Sequence, residues 1–326
     1  MILGIDIGGA NTKITEIDEN DYKIHHIYFP MWKNNEKLTE LLKKYSENVD
    51  TVGIVMTAEL VDAYETKKEG VNDILNSVEN AYDCPIYVLD ADGNFLTPEE
   101  ARENYLKVSA ANWMATAKFV SEYIDNNCIL VDMGSTTTDI IPIKDGKILA
   151  NKKDLDRLMN NELIYVGTLR TPLSFLANKI NFRGKITHVS SEYFAITGDI
   201  HVILGKIKEE DYTCETPDGK GVDRDACLTR VARVLCGDRE MINDDELTAI
   251  AEEFYAKLLK LIREGVDEVS KKYELKNVVI TGLGEEILKD ALKGYNIKSI
   301  KEIYGKEVSL ATPSFAVGML LKKYIG

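Results

Sequence analysis

Histidine, tryptophan and proline are scarce in this chain, with four, two and seven among 326 residues. The histidines fall without the spacing of a zinc site, and His188 and His201 read as lone structural residues. The five cysteines, Cys84, Cys128, Cys214, Cys227 and Cys236, include no C-x-x-C pair. Their odd number argues against a disulfide framework, so they read as buried or free thiols. Long apolar runs are missing too, which excludes an ordinary membrane-spanning helix. The opening Met1-Ile2-Leu3-Gly4-Ile5-Asp6 has no basic flank, and Asp6 interrupts its apolar run. It reads as a strand rather than a secretory signal, so a cytoplasmic location is expected. Positive charge is short: 40 basic against 54 acidic residues give a net charge of −14. That excludes nonspecific attraction to nucleic acid or to an anionic membrane. The same field repels anionic substrates, so an anion site would need local cations to offset it.

What is present suits a soluble globular chain: 44% hydrophobic and 29% charged residues, with length enough for two domains. Strands are expected near 2–7, 13–18 and 22–29, followed by a helix with Leu38, Leu41, Leu42 and Tyr45 on one face. Val52 to Met56 reads as a buried strand and Val71, Ile74, Leu75 and Val78 as a helix face. Ile86 to Leu89 is the next strand. A helix carrying Ala110, Trp113, Met114, Ala117 and Val120 closes this half. The pattern restarts at Cys128, with strands near 128–133 and 138–143 and a hairpin signal at Asp145-Gly146. Residues 151–240 are less regular and read as an insertion that shapes a substrate pocket. A long helix with Leu247, Ile250, Phe254, Leu258 and Leu261 follows. Then come the strand 278–281, a helix from about 285 and a last helix near 314–324. The expected lobes are 1–127 and 128–326, each with a β-β-β-α-β-α-β core, around a central cleft.

Two segments repeat each other. Leu3 to Ile14 reads L-G-I-D-I-G-G-A-N-T-K-I, and Ile129 to Ile140 reads I-L-V-D-M-G-S-T-T-T-D-I. Asp6 falls on Asp132 and Gly8 on Gly134. Each is a strand ending near an aspartate, then a small-residue turn, then a second strand. Such a turn presents N–H groups and hydroxyls without side-chain bulk, which is what a phosphate needs. The first supplies Gly8, Gly9, Asn11, Thr12 and Lys13, although Gly-Gly also serves an ordinary hairpin. The second supplies Gly134 and four consecutive hydroxyls, Ser135, Thr136, Thr137 and Thr138. Asp6, Asp132 and Asp139 are candidate Mg²⁺ ligands. Lys13 can neutralise charge on a leaving group or stand as a solvated lysine. A third element, V-V-I-T-G-L-G-E-E, sets Gly282 and Gly284 between a strand and a helix, where free N–H groups suit an anion.

In this order and spacing the three elements resemble the actin, Hsp70 and sugar-kinase superfamily across nearly the whole chain. The resemblance implies an α/β, two-lobed actin-like ATPase fold built on ribonuclease H-like lobes. The segments M-T-A-E-L at 56–60, D-A-D-G-N at 90–94, A-N-W at 111–113 and D-M-G-S-T-T-T-D-I at 132–140 are similar to its hydantoinase/oxoprolinase-related branch. Within that branch they resemble the tetrahydromethanopterin-linked one-carbon pathway proteins and methanofuran biosynthesis. The resemblance implies a transferase that joins an aminomethyl-furanmethyl diphosphate to γ-glutamyltyramine through the phenol oxygen, releasing diphosphate.

That chemistry needs a clamp for the diphosphate and a base for the phenol proton. Asp6, Asp90, Asp139 and Lys13 are the catalytic candidates, with Asp90 as the base. Asp90, Asp92 and Asn94 follow a strand and can line a site, or simply build an Asx-rich turn. The segment lacks the terminal glutamate of a calcium loop. Arg170 can hold substrate carboxylates through its planar fork, as can Arg224, Arg230 and Arg233. The cofactor expected is Mg²⁺, with ATP the less favoured ligand. The partners expected are small molecules, the diphosphate ester and the phenolic γ-glutamyl amide. The oligomeric state is left open, with a homodimer among the options. Two rivals keep the same fold: an ATP-dependent kinase or amide-ring hydrolase, and a nucleotide-gated activator module.

Overall fold

A computed structural model describes residues 1–19 and 21–326. Its first sheet grows from β1 (Ile2–Ile7), β2 (Asn11–Ile17) and β3 (Tyr22–Tyr28), an antiparallel meander. β4 (Thr51–Met56) and β5 (Ile86–Leu89) extend it in parallel beyond β1, and β6 (Phe95–Leu96) caps the edge. The order is β3-β2-β1-β4-β5-β6. Parallel central strands are covered on both faces and read as near-continuous apolar runs. β4, T-V-G-I-V-M, is buried at every position for that reason.

The second sheet repeats the plan. β7 (Cys128–Met133) and β8 (Thr138–Lys144) form its hairpin, with β9 (Lys147–Ile148) on the tail of β8 and β10 (Leu163–Ile164) along it. β11 (Lys179–Phe182) and β12 (Lys185–His188) are a separate hairpin. β13 (Asn277–Thr281) and β14 (Asn296–Ser299) complete the order β10-β8-β7-β13-β14. Strand for strand, β7, β8, β10, β13 and β14 stand where β1, β2, β3, β4 and β5 stand in the first sheet. The register repeats as well: Asp6 lies beside Val55, and Asp132 lies beside Thr281.

Compactness groups the residues differently from a single cut at 127/128. One unit comprises Met1–Asn127, Ile143–Arg157 and Ile300–Gly326; the other comprises Cys128–Pro142 and Leu158–Ser299. The C-terminal helix Thr312–Ile325 belongs with the first unit because it packs on β1, β4 and the helix Asn112–Tyr123. Glycine makes that approach possible. A Cβ at Gly4 would stand 2.0 Å from the Ser314 carbonyl oxygen and 2.7 Å from the Gly318 nitrogen. The Thr15 and Ser314 hydroxyls, 2.8 Å apart, pair within the buried seam.

The segment 151–240 carries more regular structure than its composition suggested. It holds helices Asp154–Met159, Leu173–Leu176, Thr197–Ile203 and Arg224–Val234, besides β10 and the β11–β12 hairpin. Ile196, Ile200, Leu228 and Val231 join the core of the second unit together with Leu247, Ile250, Phe254 and Leu258 of the long helix Asp244–Tyr273. The helix expected around Leu38 ends at Lys43 and leaves Tyr45 outside. No helix among the described residues is long and apolar enough to cross a membrane.

Candidate active site

The two repeated turns fold alike. In the first, the Gly8 N–H donates to the Asn11 carbonyl at 3.0 Å; in the second, the Gly134 N–H donates to the Thr137 carbonyl at 3.0 Å. What differs is the pair two residues outside each bond. In the first hairpin it is Asp6 and Lys13, directly across the β1–β2 ladder, with Nζ 3.5 Å from the carboxylate. At the same offsets the second hairpin carries Asp132 and Asp139, two carboxylates in place of a carboxylate and an ammonium.

Asp6 is buried, and burial pushes its carboxyl above the ordinary range, with Lys13 and the Asn112 amide pulling the other way. Its Oδ1 and the Thr12 hydroxyl are both buried without a hydrogen-bond partner. Lys13 also faces His26 on β3, whose imidazole is held down to about 4 by burial and by the lysine charge. The imidazole is therefore neutral at physiological pH and adds no competing positive charge.

The second turn is buttressed from the chain behind it. The N–H groups of Leu169 and Arg170 donate to the Ser135 carbonyl, each at 3.0 Å, and the Thr168 N–H donates to the Gly134 carbonyl at 2.9 Å. Gly167 is obligatory there, because a Cβ would lie 2.5 Å from the Ser135 carbonyl and the Thr136 nitrogen. His201 is the prop under this support. Burial lowers its imidazole to about 4, so the neutral ring donates from Nδ1 to the Thr168 carbonyl at 2.7 Å. Of the four expected hydroxyls, Thr138 is committed elsewhere: it is buried and donates to the Val166 carbonyl at 2.8 Å. Ser135, Thr136 and Thr137 remain half-buried on the turn. Arg170 is exposed immediately beside this turn.

The other arginines are engaged. Arg230 is fully buried, 2.8 Å from Asp199 and 3.0 Å from Asp218, and Arg233 lies 2.9 Å from Asp218. Arg224 reaches Asp244 at 3.7 Å. The two contacts to Asp218 pin the 216–221 loop to the Arg224–Val234 helix.

The third glycine element packs against the second turn's strand. The Gly284 N–H donates to the Met133 carbonyl at 3.0 Å. Gly282 has φ +94°, and a Cβ on it would meet the Met133 carbonyl at 2.5 Å and Asp132 Oδ1 at 2.6 Å. Its glycines therefore serve close packing around Asp132 first. The helix that follows, Glu285–Ala291, is only seven residues long.

Asp90 is occupied by its own turn. It is buried, and its Oδ1 accepts the Asp92 N–H at 2.9 Å and the Asn94 N–H at 2.8 Å. Asp92 and Asn94 are exposed, and Asp92 lies 3.3 Å from Lys107. The segment is an Asx turn closed by Gly93 at φ +84°. That oxygen is committed to the turn, which is the Asx-turn role weighed for Asp90 beside that of a base. Among the described residues no three His, Cys, Asp or Glu side chains gather into a ready-made metal centre. Asp6 lies in one unit, and Asp132 and Asp139 lie in the other.

Sequence reasoning missed Glu59. It sits in the loop after β4, fastened by the Thr57 and Ala58 N–H groups, which both donate to the Ile7 carbonyl at 2.9 and 3.1 Å. Glu59 is 1% exposed, its Oε2 has no hydrogen-bond partner, and Lys67 Nζ lies 3.7 Å from its Oε1. Burial raises its carboxyl to about 7, against the opposing pull of its own and the Ala110 N–H groups and of Lys67; the Asp154 charge adds to the rise. Gly70 lets the next helix touch this loop, since a Cβ there would stand 2.3 Å from the Glu59 carbonyl oxygen. The legible signal was an acidic residue inside the apolar run after a buried strand.

Residues 50–324 match the hydantoinase/oxoprolinase family model. A protein of Methanocaldococcus jannaschii is 71% identical over 325 residues, covering all of this chain and 98% of its own length. One of Methanococcus vannielii is 66% identical over 212 residues, covering 63% of this chain and 96% of its own. Both are named (4-{4-[2-(gamma-L-glutamylamino)ethyl]phenoxymethyl}furan-2-yl)methanamine synthase. Among solved structures, nucleotide-free acetone carboxylase superposes with a TM-score of 0.59 at 10% identity, over 98% of this chain and 70% of that one. That likeness concerns the fold, and the fold is the actin-like ATPase class.

Proposed function

The chain belongs to the hydantoinase/oxoprolinase family, and from that premise we propose that it is an enzyme forming the aryl ether named for its two archaeal relatives. The product in that name is a furan bearing an aminomethyl and a phenoxymethyl group, with a γ-glutamylaminoethyl chain on the phenyl ring. Making it joins a furanylmethyl carbon to the phenol oxygen of γ-glutamyltyramine, a transfer between small molecules. The finer reading is that diphosphate is the group displaced, in methanofuran biosynthesis.

The observation that supports it is the pair of turns with the same Gly N–H to carbonyl bond, one beside Lys13 and one carrying three half-buried hydroxyls. An electron-rich furan stabilises positive charge on its CH₂, so departure of the leaving group governs the barrier. Each turn by itself offers donors for phosphate oxygens: the Gly9 and Asn11 N–H groups on the first, and the Ser135, Thr136 and Thr137 hydroxyls on the second. Lys13 would balance charge at the first turn. Arg170 would take the glutamyl carboxylate. Asp132 and Asp139 supply hard oxygen donors of the kind Mg²⁺ prefers, so they would hold it. When bound, Mg²⁺ would neutralise the diphosphate and improve it as a leaving group.

The test is direct. Purified protein, Mg²⁺, the furanmethyl diphosphate and γ-glutamyltyramine, without ATP, should yield the coupled product and diphosphate in equal amounts. Absence of product with every divalent metal tried would sink the reading. A strict requirement for ATP would instead favour a nucleotide-dependent enzyme of the same fold.

A further inference from the structure

Because the two sheets share strand order and register, paired strand residues of the first unit have counterparts in the second. Asp6 lies beside Val55 and Asp132 beside Thr281. Four residues beyond each partner stand Glu59 and Glu285, both buried. The register continues outward: Ile54 pairs with Val88 on β5, and Ile280 pairs with Ser299 on β14. The Ser299 hydroxyl donates to Glu285. In the first unit the equivalent position is Val88, which offers no hydroxyl, and Glu59 keeps an oxygen without a partner. One copy of the duplicated glutamate is therefore hydrogen-bonded by the fold, and the other is held buried and unsatisfied. An unsatisfied buried carboxylate costs free energy that a purely structural role does not return.

We propose that Glu59 and Lys67 form the proton-accepting pair for the phenol, Lys67 touching the substrate and Glu59 storing the proton. Lys67 is the accessible member: its side chain is 30% exposed, against 1% for Glu59. As the oxygen–carbon bond forms, the phenol passes its proton to Lys67 while Lys67 hands one of its own to the Glu59 carboxylate 3.7 Å away, in one relay. The carbon–oxygen bond to diphosphate breaks, and diphosphate leaves with the electron pair. The phenol proton is thereby matched by one on Glu59, and Lys67 keeps its charged form. The groups facing Glu59 are Lys67 from the helix Lys67–Glu79, Asp154 from the helix Asp154–Met159, and the N–H groups of Glu59 and Ala110. The raised carboxyl, at about 7, places the switch where a base is useful. Ala110 holds φ +51°, a conformation rare outside Gly, Asn and Asp, at the residue whose N–H addresses this carboxylate.

The inference rests on the ether-forming reading, so the test separates the two. Wild type, Glu59→Gln, Glu59→Asp and Lys67→Met are assayed from pH 5 to 9 with γ-glutamyltyramine and with a ring-fluorinated, more acidic analogue. Wild-type turnover should rise with pH through about 7. Glu59→Gln should lose about 100-fold or more, together with that rise. Glu59→Asp should keep the rise, and the fluorinated phenol should recover much of the loss in Glu59→Gln and Lys67→Met. Product formed by Glu59→Gln at near wild-type rate, or a defect equal for both phenols, overturns the pair while leaving the ether synthesis standing. No product from wild type overturns both. Should the variants not fold, infrared titration of wild type still decides: no protonated-carboxyl band titrating near 7 rejects the pair.

Discussion

At the residue scale, the informative side chains are buried polar ones whose partners can be counted. Glu59 sets a stability expectation of definite sign. Its folded value, about 7, lies above the ordinary 4.5, so the neutral carboxyl is the comfortable form in the folded chain. Stability from this group is fully present below about pH 4.5 and is lost as pH rises through about 7. Two to three pKa units correspond to about 3 kcal/mol. Glu59→Gln should therefore match wild type in urea unfolding at pH 4 and exceed it at pH 8 by about that amount. Equal stability at pH 8 would mean that the carboxyl ionises normally. Gly282 gives a second expectation, since its φ of +94° and the 2.5 Å approach to Met133 leave no room for a methyl. Gly282→Ala should cost about 1–3 kcal/mol, read as a lowered melting temperature. It should also weaken diphosphate binding by displacing Asp132.

At the element scale, the turns work because other segments hold them. Residues 167–170 and His201 fix the second turn, and the loop 57–60 is tied to the end of β1. The C-terminal helix closes the first unit through the Gly4–Gly318 contact. Gly4→Ala should cost about 3 kcal/mol or more in denaturant unfolding, because the carbonyl it would strike belongs to helix backbone that cannot rotate away. In the other unit Arg230 and Asp199 form a fully buried pair that carries the 216–221 loop. Arg230→Met should destabilise by about 3–5 kcal/mol, since it strands a buried carboxylate. Intact stability in that variant would show that water reaches Asp199.

At the scale of the whole molecule, a net charge of −14 bears on the anionic ester proposed as substrate. Local cations must offset the field, and the residues present supply Lys13 at one turn and two carboxylates at the other. Removing divalent metal with a chelator should therefore weaken binding of the furanmethyl diphosphate by about tenfold or more in calorimetry, a loss of at least about 1.4 kcal/mol. Asp132→Asn should reduce that dependence, and binding indifferent to chelator would remove Asp132 and Asp139 from the metal's account.

The repeat of strand, aspartate and glycine turn was enough to read the duplicated α/β fold, because small residues at fixed offsets are a local demand of the backbone. The residues of the two glycine turns were legible for the same reason. Sequence pattern could not show that Thr138 and Asp90 spend their oxygens on neighbouring backbone, since those partners are set by three-dimensional packing. It could not show that Thr312–Ile325 packs with the first unit either, as a glycine contact across some 310 residues leaves no local trace. Local chemistry thus determined which turns could face a phosphate. Only the tertiary structure decided which buried carboxylate is satisfied and which is not: Ser299 and Val88 occupy matching places in two sheets, and one of them carries a hydroxyl.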